Sequence, residues 1–173
     1  MIRFMPYFAQ LYLAIAVQAQ PIPEALQPGI EIRQVMAVGE NYIRIAKHPI
    51  TVEIYFMGIN GLIFAVDVEM GTSERLYAWP DHGVRLATGF TVGVDGTFYI
   101  VGNPTRDGNN IGLIKKGILV EGERVWSTLA ETESYAESGG RDHKFNAIEL
   151  TPDGRYVLVN SGSRTDHGEE QND

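Results

Sequence analysis

Apolar residues along this chain gather in short runs, each cut off by Gly, Pro, Asn or Asp. Tyr42-Ile43-Arg44-Ile45-Ala46 alternates, which fits a strand with one buried face. Val52 to Met57 and Leu62 to Val68 flank Ile59-Asn60-Gly61. Asn-Gly between apolar runs predicts a hairpin, since both residues tolerate positive φ. Arg75 to Trp79 predicts a further short strand, and Thr91 to Val101 a second hairpin about Asp95-Gly96. Ile111 to Ile118 and Arg124 to Leu129 flank Glu121-Gly122, while Ala147 to Leu150 and Tyr156 to Asn160 flank Pro152-Asp153-Gly154. Past the N-terminal segment no convincing amphipathic helical period is found.

Two of these hairpins match in pattern. Val94-Asp95-Gly96-Thr97-Phe98-Tyr99-Ile100-Val101-Gly102-Asn103 parallels Pro152-Asp153-Gly154-Arg155-Tyr156-Val157-Leu158-Val159-Asn160-Ser161. Each runs Asp-Gly, aromatic, β-branched or aliphatic residues, then a small or amide residue. Hairpins repeated every ~40–60 residues are the pattern of β-propeller blades. The alternative is a β-sandwich with two similar hairpins. The expected fold is all-β, a propeller whose blades take about 40–50 residues each. Residues 20–173 then hold roughly three blades of a ring that needs about four to eight. The chain ends on the polar Gly168-Glu169-Glu170-Gln171-Asn172-Asp173 with no closing strand, so the expectation is the N-terminal part of a longer propeller with unpaired edges.

The first residues read differently. Arg3 supplies a charged start, Tyr7 to Val17 is apolar apart from Gln10, and Val17-Gln18-Ala19 offers a cleavage site before Gln20. That is the pattern of a signal peptide, residues 1–19, too short for a span of about 20 apolar residues. A periplasmic or secreted protein, with no stable membrane insertion after leader removal, is the expectation.

Composition narrows the chemistry. The chain has 173 residues, 44% of them hydrophobic, and a net charge of -8. Such an acidic balance without a Lys/Arg cluster argues against nucleic acid and anionic membranes. With no cysteine, disulfides, thiol nucleophiles and Cys-based zinc sites are excluded.

The leading candidate for chemistry is Asp142-His143, inside Gly139-Gly140-Arg141-Asp142-His143-Lys144-Phe145 and just before the last hairpin. A neighbouring carboxylate can hold an imidazole in one tautomer and stabilise its charged form, which suits a general base. An ordinary surface histidine is the competing reading. Thr165-Asp166-His167-Gly168-Glu169 lacks metal-ligand spacing and reads as a solvated loop. Asp81-His82-Gly83 lies between strands, facing the central channel of the expected propeller or serving as a turn. Thr105-Arg106-Asp107-Gly108-Asn109-Asn110 resembles half a calcium loop but reads as a turn. Ser161-Gly162-Ser163 does not form a nucleophile elbow. Gly71, Gly83 and Gly89 read as turn glycines, with no phosphate-binding loop.

Over Arg141-Asp142-His143 and then Ile148 to Gly162 the chain resembles the glucose/sorbosone dehydrogenase family. These are soluble sugar dehydrogenases that use pyrroloquinoline quinone (PQQ) on a six-bladed propeller. The resemblance implies that His143 removes the proton of the sugar hydroxyl while hydride passes to PQQ, and that Asp142 orients it. It also implies PQQ and calcium as cofactors, a sugar substrate and an electron acceptor as partners, with clamping Arg and Lys residues and calcium ligands beyond residue 173. Many members carry Gln-Asn-Gly-Leu one blade earlier, where this chain has Asp81-His82-Gly83-Val84. A propeller that binds carbohydrate or protein without catalysis, and a calcium-dependent propeller lactonase, are the other readings.

Overall fold

The computed structural model describes residues 23–39, 41–135 and 144–162. The chain divides into two compact units, Met1–Gln34 and Val35–Asp173. In the first, the described residues hold no helix or strand, only a turn at which Ile30 N donates to Gln27 O at 3.4 Å, with Gly29 at φ 82. The expected leader, residues 1–19, lies outside the described residues. Among the described residues no helix is long and apolar enough to cross a membrane.

Among the described residues the second unit is all-β apart from one helical turn. Strands β1 (Tyr42–Lys47), β2 (Ile54–Gly58), β3 (Ile63–Asp67) and β4 (Thr72–Tyr77) form an antiparallel sheet in sequence order. After α1 (Trp79–His82) come β5 (Ala87–Val92) and β6 (Phe98–Gly102), then a small hairpin of β7 (Thr105–Arg106) and β8 (Asn109–Asn110). Then β9 (Leu113–Val120) and β10 (Glu123–Glu131) complete a second four-stranded sheet, ordered β5-β6-β9-β10. A last hairpin, β11 (Phe145–Leu150) and β12 (Val157–Ser161), forms a two-stranded sheet.

The turns follow from their residues. Asp95 Oδ1 accepts from Thr97 N at 3.0 Å, and Asp153 Oδ1 accepts from Arg155 N at 3.1 Å. Gly96 and Gly154 then take φ 77 and 67, conformations closed to most side chains. The two matched sequences are thus the same turn, each joining the first two strands of its sheet. Asp107-Gly108 and Glu121-Gly122 have positive φ at both residues, the tight hairpin geometry that matches strand twist. The Thr105–Asn110 segment is therefore a hairpin, as its turn reading expects.

The core lies between the two four-stranded sheets. Met57 and Ile63 from the first share one buried cluster with Phe98 and Ile100 from the second and with Val84 from the connection between α1 and β5. Tyr55 and Phe90 set their rings edge-on to Phe98, at 5.0 and 5.2 Å. Burial of this order, at ~25 cal/mol per Å², is the main force holding the sheets together.

Two local expectations are corrected. Trp79 does not extend β4. Pro80, with no N–H to give a strand, instead sits early in α1, and Asp81 Oδ2 accepts from Ala78 N at 2.7 Å. Gly89 is no turn glycine; it lies inside β5, where an added Cβ would meet Ile148 N at 2.9 Å and Ala147 C at 3.0 Å. Its missing side chain lets β11 approach β5.

Candidate functional site

The first strands of the two four-stranded sheets and of the last hairpin, β1, β5 and β11, lie side by side. Thr88 Oγ1 donates to Phe145 O at 2.5 Å near the starts of β5 and β11, and Thr91 Oγ1 donates to Glu149 Oε1 at 3.2 Å further along both. The two strands therefore run in the same direction. At the start of β1, Asn41 O accepts from Ile59 N at 2.9 Å, and Ile59 O accepts from Ala87 N, the first residue of β5, at 3.0 Å. The Arg44 guanidinium crosses from β1 to the carbonyl of Asn146 in β11. The starts of β1, β5 and β11 thus gather at one end of the unit, with the β2–β3 turn, α1 and the β7–β8 hairpin around them.

Asn103 anchors this end. It is fully buried after β6; its Oδ1 accepts from Phe145 N at 2.8 Å, and its Nδ2 donates to Phe145 O at 2.9 Å and to Thr88 Oγ1 at 2.9 Å. Phe145 then lays its ring over Gly112, where a Cβ would overlap it. The start of β11 is held by a side-chain amide, a buried hydroxyl and an aromatic contact. Asn110, also buried, pairs through its backbone with Tyr135 at 2.9 and 3.0 Å.

His82 has a structural part. It is 1% exposed, its Nε2–H donates to Gly61 O at 2.8 Å, and its Nδ1 accepts from Val84 N at 3.2 Å. Burial holds its pKa below the ordinary histidine value, partly offset by the bond to Gly61 and the charge of Asp81. Its ring meets Trp126 at 5.2 Å. Of the two readings of Asp81-His82-Gly83, the turn fits: both nitrogens of His82 are used inside the fold, and Asp81 caps α1. His48 also bonds within the fold, its Nδ1 accepting from Ile50 N at 3.1 Å and Thr51 N at 3.2 Å.

Asp142 and His143 lie outside the described residues, as do Thr165 to Glu169 and Ser163. Ser161 ends β12, where its hydroxyl donates to Gly162 O at 2.9 Å. Thr88 and Arg44 escape a reading of the sequence, because their partners stand in other sheets. Asn103 left one trace, the amide that closes the repeated hairpin.

No family model matches the chain, and no curated protein matches it.

Proposed function

We propose that this chain belongs to a β-propeller sugar dehydrogenase acting in the periplasm or outside the cell, with His143 as general base and Asp142 as the carboxylate that orients it. The observation that carries the reading is the placement of β11. Its start is fixed beside β5 at the end where β1 also begins, and the Asp-His pair immediately precedes it in the chain. Successive sheets with their first strands side by side fit blades arranged around an axis. The cross-strand pair Ile118 and Val125 on β9–β10 is exposed, and β12 has no outer partner among the described residues. Further strands of a third blade would fill both places.

In this reading the sugar hydroxyl gives its proton to the free imidazole nitrogen of His143 as hydride leaves the same carbon. Asp142 holds the ring in one tautomer and stabilises the imidazolium. Asn103 fixes the backbone of Phe145, two residues after His143. PQQ supplies the hydride acceptor when bound. Among the described residues no three His, Cys, Asp or Glu side chains gather as a metal site, so calcium is assigned to none of them.

The test is dye reduction by the full gene product with PQQ, calcium and an aldose. Turnover should require PQQ and fall by roughly 10²–10⁴ in His143→Ala while PQQ still binds. Absence of both turnover and PQQ binding would favour a carbohydrate- or protein-binding propeller. Calcium-dependent opening of a lactone without PQQ would favour the lactonase.

A further inference from the structure

We propose that Arg85, stacked on Trp79, is a binding fork for the carboxylate of an acidic saccharide. The pair stands on the connection between β4 and β5, at the end where the first strands begin. Trp79 is 39% exposed, and the Arg85 guanidinium carbon lies 3.8 Å from its ring centroid. A guanidinium that meets an indole through its face keeps its N–H donors in plane and available. Among the described residues Arg85 has no hydrogen-bond acceptor and no carboxylate partner. Asp81, the near acid in sequence, spends an oxygen on Ala78 N. An uncommitted, solvent-facing fork in a chain of net charge -8 is available to a ligand anion.

The support beneath the pair is rigid. Gly83 N donates to Trp79 O at 2.7 Å, and His82 ties α1 to the β2–β3 turn through Gly61 O at 2.8 Å. Gly61 adopts φ 80, and a Cβ there would lie 3.1 Å from Trp79 Cβ, so this turn passes close to the base of the Trp79 side chain. Leu86, next to Arg85, is exposed and held at φ 48, with its carbonyl accepting from Asn103 N at 3.1 Å. A positive φ at leucine is costly and is kept only where the surroundings impose it. The result is a guanidinium fork held over Trp79 on the exposed connection that leads into β5. A carboxylate matches the fork through two parallel hydrogen bonds. The choice of a saccharide rests on the sugar-oxidising reading; the carboxylate rests on Arg85.

The chain contains two tryptophans, and the second, Trp126, is packed against Tyr77 at 5.6 Å, so fluorescence changes on ligand addition report chiefly on Trp79. The 173-residue chain would be titrated with sodium D-glucuronate and with D-glucose at constant ionic strength. Glucuronate should give a saturable change with Kd on the order of millimolar. Arg85→Gln should weaken it roughly tenfold or more, Arg85→Lys should weaken it less, and glucose should give no saturable change. No saturable change with glucuronate, an unaltered response in Arg85→Gln, or an equal response to glucose would each overturn the proposal. Circular dichroism checks that the exposed-site variants fold; were Arg85→Gln unfolded, the glucose comparison and Arg85→Lys still decide. Binding here needs neither PQQ nor calcium. PQQ-dependent turnover without glucuronate binding would therefore remove this site alone, and the converse would remove the dehydrogenase reading alone.

Discussion

The Asn103 carboxamide acts as a one-residue strand for Phe145, accepting its N–H at 2.8 Å and donating to its carbonyl at 2.9 Å. The same nitrogen reaches Thr88 Oγ1, whose hydroxyl bonds the same carbonyl, so three groups share one small network away from water. Buried networks of this kind are costly to break, because each abandoned donor or acceptor keeps its full desolvation penalty. Asn103→Ala should lower stability by about 2–4 kcal/mol, the sum of a lost buried amide and an orphaned Phe145 N–H. Urea denaturation checks this, and a loss below about 1 kcal/mol would mean the network contributes little.

His82 makes stability depend on pH. Burial places its folded pKa below the unfolded value of ~6.5, and protonation would also end the bond that Nδ1 accepts from Val84 N. The unfolded chain therefore binds the proton first as pH falls. The stabilisation is complete above ~6.5 and is lost as pH drops through the folded pKa. His82→Gln should lower stability at pH 7.5 and flatten the slope below ~6.5. Denaturation midpoints for both proteins across that range decide it; an equal slope in the variant would assign the pH dependence elsewhere.

Gly89 and Gly122 separate two uses of glycine. An added Cβ at Gly89 would meet the backbone of β11 at 2.9–3.0 Å, so Gly89→Ala must push β11 off β5 and should cost about 1–3 kcal/mol. At Gly122 the space is open but φ is +87, so Gly122→Ala should cost about 1 kcal/mol from backbone strain alone. Asparagine, which tolerates the left-handed region, should recover part of the loss at Gly122 and none at Gly89. Thermal midpoints of the four variants test the distinction, and recovery by asparagine at Gly89 would refute the close approach.

Local chemistry was legible along this chain, and long-range chemistry was not. The Asp95-Gly96 and Asp153-Gly154 turns can be read from four residues each, because the aspartate bonds its own turn and the glycine supplies the φ. The all-β class followed from such turns between apolar runs. Trp79 misled because its strand propensity pointed one way while Pro80 and Asp81 pointed to a helical turn. Gly89 misled because its reason stands 58 residues away in β11. His82 looked like a loop histidine, yet Gly61 and Trp126, from other elements, decide its burial. Asn103 appeared only as the amide closing a repeat; its reach to Phe145 depends on how β11 docks.

Arg124 carries charge into the apolar seam between the two large sheets. Its guanidinium carbon lies 3.7 Å from the Phe98 ring centroid, and Nη1 donates to Gly96 O at 2.9 Å and Gly117 O at 2.8 Å. Nε donates to the Tyr77 hydroxyl at 3.3 Å, so one side chain joins the second sheet to the first. Methionine keeps much of the volume but leaves both carbonyls without their charged donor and the ring without its cation. Arg124→Met should therefore cost about 2–4 kcal/mol, from two charge-assisted bonds and one cation–π contact. Lysine keeps the charge but not the planar fork that serves two carbonyls and a ring together, so Arg124→Lys should recover less than half of that loss. Chemical denaturation at low and at 0.5 M salt gives the readout; since half-buried pairs are weakly screened, the Arg124→Met deficit should persist in salt. A deficit that vanished at high salt would place Arg124 in solvent, with the two sheets held by apolar packing alone.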